Sequence, residues 1–184
     1  MSETELAADK TPIESTASSV DKIGILLRRE IEANIVGPLL QAFAEEFGEE
    51  RVLAIAGSVI VELARQHGEA LALECGDHSL ISFAGCLPRW KKGDALELRI
   101  LEQSESTLSF DVTRCRYAEM YRSLGMARLG ATLSCNRDFA LIEGFNPDVQ
   151  LTRTQTIMGG ASHCDFRFRA KETAPDSPTA QSDH

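Results

Sequence analysis

The sequence predicts an α+β domain: an N-terminal helical layer packed on an antiparallel sheet of two β-hairpins, with a helical insertion between the hairpins. Three observations lead there. Up to about Trp90, apolar residues recur three and four positions apart, the helical period. In 95–102 and 107–114 they alternate with polar ones, the period of a half-buried strand. Two more stretches, Val149–Ile157 and Ser162–Ala170, flank Met158-Gly-Gly-Ala161, and a Gly-Gly pair is a hairpin signal.

Each element follows from local pattern. Ile23, Leu26, Leu27, Ile31 and Ile35 form one helical stripe, with Asp21 as the candidate N-cap. Gly37-Pro38 should break the helix, because proline lacks the N–H. Leu39, Leu40, Phe43 and Phe47 resume the pattern, and Gly48 stops it. From Glu49 to about Ala72 a second helix is apolar over much of its circumference, which predicts a central position. Ser79–Trp90 reads as a short helix ending before Pro88. Gln103-Ser-Glu-Ser106 joins the first two strands. The insertion reads as helices over Tyr117–Leu124 and about Ala127–Glu143, the latter ending at Gly144.

Composition sets bounds on function. The 184 residues carry 43% hydrophobic and 26% charged side chains, a globular mixture. Residues 1–19 and 172–184 are Ser/Thr/Glu/Ala-rich and Pro/Ser/Asp-rich and read as disordered tails around one domain, 20–171. A net charge of −9 argues against a nucleic-acid partner and against an anionic membrane surface. The first residues lack the basic and apolar regions of a signal peptide. Five scattered cysteines, an odd number, read as reduced thiols in a bacterial-type cytoplasm.

The chemistry concentrates in the last third. Cys135 and Asp138 are three apart and share a helix face with Ala131, Phe139 and Ile142, so that face points inward. An inward carboxylate needs a cation, several donors or a metal; alternatively Cys135 is a small hydrophobe and Asp138 bonds to backbone. Arg153 is a cation on the otherwise apolar side of its strand. It reads either as an ion pair with Asp138 or Asp165, or as a clamp for an acidic substrate. Alternation places Cys164 on the core face with Phe166 and Phe168, and His163 on the other, so the two should point apart. Cys115 falls on the wrong side by strict alternation and reaches the site if its strand ends before it. Together Cys115, Cys135, Asp138 and Cys164 offer three thiols and a carboxylate, a set able to bind zinc tetrahedrally. The competing reading is one activated thiolate, Cys135, with Asp138 moving protons. Cys75 and Cys86 read as passive, and His67 and His78 as surface or loop residues. Tyr117, Tyr121 and Trp90 could line a pocket.

The strings Cys115-Arg-Tyr-Ala-Glu119, Leu129-Gly-Ala-Thr-Leu-Ser-Cys-Asn-Arg-Asp138, Gly144-Phe-Asn-Pro147, Leu151-Thr-Arg-Thr-Gln-Thr156, Gly159-Gly160 and His163-Cys-Asp-Phe-Arg167 carry a resemblance. Over roughly 20–170 the chain resembles the L-2-amino-thiazoline-4-carboxylic acid hydrolase family. Cys115, Cys135, Asp138, Gly160, Cys164, Asp165 and Phe166 are the positions that match the family pattern. The resemblance implies hydrolysis of a small C–N or C–S bond, the family's named activity being the opening of a cyclic aminothiazoline to N-carbamoyl-cysteine. A fold-level resemblance to vinyl-4-reductase-type small-ligand domains implies helices before a sheet and, in some, zinc held by Cys and acidic residues. The expectation is a cytoplasmic hydrolase of a small, anionic, cyclic or amide-type substrate, with a homodimer as its candidate assembly. Cys135, Asp138 and Cys164 would form its centre and Arg153 and Tyr117 would contact substrate, with no cofactor or with zinc. The alternative classes are a non-catalytic ligand-binding or sensory domain with a structural zinc, and an interaction domain with ordinary core thiols.

Overall fold

The computed structural model describes residues 23–171. The tails and the candidate cap Asp21 lie outside that range. Two long helices come first, α1 (Ile25–Phe47) and α2 (Glu49–Cys75), joined by Gly48 alone. Gly48 has φ 87°, a left-handed backbone suited to glycine. The break expected at Gly37-Pro38 does not occur, and Pro38 lies inside a 23-residue α1. Proline forfeits one i→i−4 bond there, a loss a helix of that length absorbs. Gly37 serves packing instead: a Cβ at this buried position would collide with the Met126 sulfur.

Ser79 caps α3 (Leu80–Cys86), its hydroxyl accepting the Ser82 N–H at 3.1 Å. Pro88 then opens a short α4 (Pro88–Lys91), where a missing N–H costs nothing. The sheet consists of β1 (Leu96–Gln103), β2 (Thr107–Cys115), β3 (Val149–Thr152) and β4 (Cys164–Ala170), all neighbours antiparallel, in the order β1-β2-β4-β3. Between the two strand pairs lie α5 (Arg116–Ser123), α6 (Ala127–Gly130), a π-helical turn (Ala131–Cys135) and α7 (Arg137–Phe145). The α+β architecture is therefore as the sequence predicts.

Further details differ. The helix expected over Ala127–Glu143 is broken by the π turn, in which the Asn136 N–H reaches back five residues to Ala131 O at 3.0 Å. Gly144 is not its stop, since α7 continues to Phe145. A Cβ on Gly144 would collide with Arg65 O of α2, and one on Gly68 with Leu141 O of α7, so the two glycines let α2 and α7 cross at backbone contact. The strand expected to reach Ile157 stops at Thr152. The Asp165 carboxylate takes the N–H groups of Thr154 (3.0 Å) and Gln155 (2.9 Å), removing them from the ladder.

The main core lies between α2, α3, α7 and the sheet, where Phe83 packs against Phe145 and Phe168 at 5.1 and 5.3 Å between ring centres. A smaller cluster of Ala33, Ala118, Tyr121, Leu133 and Met158 sits under α1. The central position expected for α2 holds only on one side: Val52, Ala56, Ala64 and Leu71 are buried, while Ile55, Val59 and Leu63 face solvent. Among the described residues no helix is long and apolar enough to cross a membrane.

Candidate functional site

A cavity of about 110 Å³ lies where β2, β4, the π turn and α7 converge. Cys115, Cys135, Cys164, Asp138 and Arg153 all line it, and Tyr117 and Trp90 form part of its wall. Residues spread over fifty positions meet here because each element end aims one side chain inward.

Cys115 arrives by a route the alternation rule misses. Its strand does not end before it; β2 includes Cys115. The pairing Leu98↔Val112 and Leu96↔Cys115 sets three steps on β2 against two on β1. This bulge returns Cys115 to the Val112 face. The π turn ends at Cys135, which with Asp138 lines the same cavity. Phe139, expected inward, is 42% exposed and instead covers the Arg153 guanidinium, 5.1 Å from its ring centre. Phe166 covers the other approach at 5.3 Å. Cys164 is buried, its sulfur accepting the Ile157 N–H at 3.1 Å. His163 turns away as expected and meets Gln155 Nε2 at 2.9 Å and the Ser162 hydroxyl at 3.0 Å.

Arg153 makes the ion pair with Asp138. Its Nη1 donates to Asp138 Oδ2 and its Nη2 to Cys135 O at 3.1 Å. Only 7% of its side chain is accessible, against 35% for Asp138, whose free part faces the cavity it lines. Burial pushes the Asp138 carboxyl up to about 6, although Arg153 pulls the other way. Burial pushes every thiol of the site up as well: Cys135 to about 12, reinforced by Asp138, and Cys115 to about 11. Cys164 is raised for the same reason. Burial raises Tyr117 too, whose hydroxyl donates to Trp90 O at 3.3 Å. Asp165 stands outside this group. Against the effect of burial, the Thr154 hydroxyl (2.6 Å) and the N–H groups of Gln155 and Thr154 hold it below the usual carboxylate range. Its work is to shape the loop that carries Arg153.

Among the described residues no three of His, Cys, Asp and Glu stand as a group that could hold a metal ion. Cys115, Cys135, Asp138 and Cys164 share the cavity, and Arg153 occupies the carboxylate. Cys75 and Cys86, outside the cavity, bring their sulfurs to 3.2 Å.

Two arginines the sequence reading passed over and His67, read there as a surface or loop residue but placed within α2, complete the rim. Arg29, His67 and Arg137 line the cavity and also a large groove between α1 and α2. Burial, then Arg29 beside it, lowers Arg137 to about 10. Burial and the neighbouring Arg137 and Arg29 lower His67. The mouth of the cavity is therefore cationic, with Glu32 paired to Arg29 as the one acid in that lining. A signal was present: Arg137 adjoins Asp138, in a stretch read as an inward helix.

A helical layer on a four-stranded antiparallel sheet, around a small cavity with a carboxylate–guanidinium pair among thiols, defines an α+β domain. A family model matches residues 28–168, well over half the chain, and the chain belongs to the L-2-amino-thiazoline-4-carboxylic acid hydrolase family. No curated protein matches it significantly. Among solved structures it is similar in fold to the phenol-responsive sensory domain of the transcription activator PoxR with phenol. That likeness has a TM-score of 0.50 and 12% identity, covering 79% of this chain and 76% of that one. It is also similar to a trafficking protein particle complex subunit 3 from Naegleria fowleri covalently bound to palmitic acid, with a TM-score of 0.49 and 13% identity, covering 79% and 96%. These likenesses concern the fold.

Proposed function

We propose that the chain is a cytoplasmic hydrolase that opens a small anionic heterocycle at an amidine-type carbon, with Asp138 as the proton-transferring group. The observation that carries this reading is the position of Asp138: a carboxyl lining an enclosed cavity, with a pKa near 6, close to where a general base works best at neutral pH. Membership in a family named for a hydrolase supplies the reaction class.

For a 2-aminothiazoline-4-carboxylate the steps balance as follows. The Asp138 carboxylate takes a proton from water as the oxygen bonds to ring carbon 2. That proton passes to the ring nitrogen as the carbon–nitrogen double bond opens; the new hydroxyl then becomes the carbonyl, the carbon–sulfur bond breaks, and the hydroxyl proton goes by way of Asp138 to the departing sulfur, leaving N-carbamoyl-cysteine. Water is the nucleophile in this scheme because burial keeps the Cys135 thiol protonated, and a protonated thiol is a weak nucleophile. Cys135 and Cys164 form the cavity wall. Arg153 holds Asp138 in place and limits how far its pKa rises. The substrate carboxylate sits toward Arg29 and Arg137 at the mouth, with Tyr117 on the wall.

The experiment is a panel of small cyclic amidines, lactams and imides, with and without a carboxylate, followed by mass spectrometry. The reading expects turnover of carboxylated members and retention of most activity in Cys135→Ser. Loss of turnover in Cys135→Ser with the fold intact would transfer the nucleophile role to the thiol. A second reading is favoured by the same protonated thiols: a small-ligand sensor, like the phenol-responsive domain that shares the fold, needs an enclosed cavity and no activated group. Saturable binding of panel members without turnover is its signature.

A further inference from the structure

The sequence supplies far more apolar surface on α1 and α2 than one copy of the domain uses. Leu27, Ile31, Ile35, Leu39, Phe43 and Phe47 run the length of α1 at intervals of four, each between 48% and 61% exposed. Ile55, Val59 and Leu63 repeat the interval on α2 at 41% to 57%. At roughly 100 Å² each, these nine side chains leave about 900 Å² of apolar surface in water, more than the largest patch of an ordinary monomer. A stable interface needs about 800 Å² per partner.

We propose that this face binds a second copy of the chain, α1 against α1 about a two-fold axis, and that the pairing closes the mouth of the candidate site. A small apolar ligand does not account for the face. The groove between α1 and α2, about 830 Å³, is lined by Phe43, Phe47, Ile55 and Val59. Leu27, Ile31, Ile35 and Leu39 lie outside that lining and would stay in water whatever filled it. A protein surface is required, and the α1 pattern is complementary to itself. The row is centred on Gly37 and winds about 40° round the helix at each step of four, so two copies crossing there meet at its middle, Ile35 opposite the partner's Leu39 with Ile31 and Phe43 flanking them. Rows at intervals of four are the ridges that interlock in the commonest helix–helix packing. The link to the site is Arg29, His67 and Arg137, which line both the groove and the cavity. A partner lying along the groove removes bulk water from the cationic mouth and strengthens its hold on an anion.

The test uses the full chain, with light scattering after gel filtration and sedimentation velocity at micromolar concentration. The wild type should have twice the 20.1 kDa chain mass. Ile35→Glu and, independently, Val59→Glu should be monomers with unchanged circular dichroism, because both replace exposed side chains. Leu73→Glu, at an 82% exposed apolar position off this face, should remain a dimer. Alkylation of Cys135 by iodoacetamide, read by peptide mass spectrometry, should be about tenfold faster in the monomeric variants, since an opened mouth admits the reagent. Monomeric wild type overturns the proposal, including a monomer whose face is covered by its own residues 1–22 or by a bound lipid. A dimer untouched by both glutamates overturns it as well. Equal alkylation rates in dimer and monomer overturn the closure of the site. None of these readings depends on turnover, so they stand apart from the hydrolase assignment.

Discussion

Replacing Arg153 by methionine tests the electrostatics of the site most severely. Methionine keeps the packing between Phe139 and Phe166 and removes the guanidinium that Asp138 and Cys135 O share. An adjacent arginine holds a carboxyl down by about 1–3 pKa units. Without it Asp138 should move from about 6 to about 7–9. At pH 7 the carboxylate would drop from about nine-tenths ionised to half or less. Breaking a buried ion pair costs about 3–5 kcal/mol. The low end applies here, because 35% of the Asp138 side chain is accessible and the acid can protonate. About 3 kcal/mol corresponds to a fall in Tm of roughly 6–12 °C for a domain of this size. The loss should shrink at pH 5, where Asp138 is protonated in both proteins. The assays are urea unfolding at pH 5 and pH 8, and a carboxyl titration by carbon-13 NMR. A loss below about 1 kcal/mol at both pH values, with an unmoved titration midpoint, would refute the reasoning.

Three further outcomes are expected. Asp138→Asn should change the pH dependence of stability in a defined direction. The folded pKa of about 6 lies above the ordinary 3.8, so the stabilisation from protonated Asp138 is complete below 3.8 and gone once pH has risen past about 6; the asparagine variant should lack that decline, as calorimetry across this range would show. Gly68→Ala should cost about 3 kcal/mol or yield insoluble protein, because the added Cβ meets the backbone of α7; a soluble variant with unchanged Tm would contradict the close crossing. Asp165→Ala should cost about 1 kcal/mol by freeing the N–H groups of exposed Thr154 and half-buried Gln155, with faster amide exchange in 153–163 and little change elsewhere; uniform exchange changes would argue against its local role.

The sequence carried the fold through periodicity. Helical and alternating stretches located the helical layer, the strands and the insertion, because burial imposes those periods directly. It failed where backbone bonding departs from periodicity. Nothing in the side-chain pattern at Ala131–Cys135 announces a π turn, and nothing at Thr113 announces the bulge that turns Cys115 inward. The end of β3 was hidden because its cause, Asp165, lies thirteen residues beyond Thr152 in the partner strand. The pairing of Arg153 with Asp138 was one of two readings, since a cation among apolar residues requires a carboxylate without saying which. The exposed stripe on α1 was misleading in another way. Periodicity reports that a face is apolar; it does not report whether the covering surface belongs to the same molecule.

The most direct measurement is turnover of 2-aminothiazoline-4-carboxylate by wild type and Asp138→Asn side by side, at equal folded concentration. The wild type should open the ring to N-carbamoyl-cysteine, and the variant should be slower by about 10²–10⁴-fold, the usual loss when a general base is removed. An intact ring in the presence of the wild type, or a variant within about threefold of it, would contradict the assignment of Asp138 as the proton-transferring group of a hydrolase.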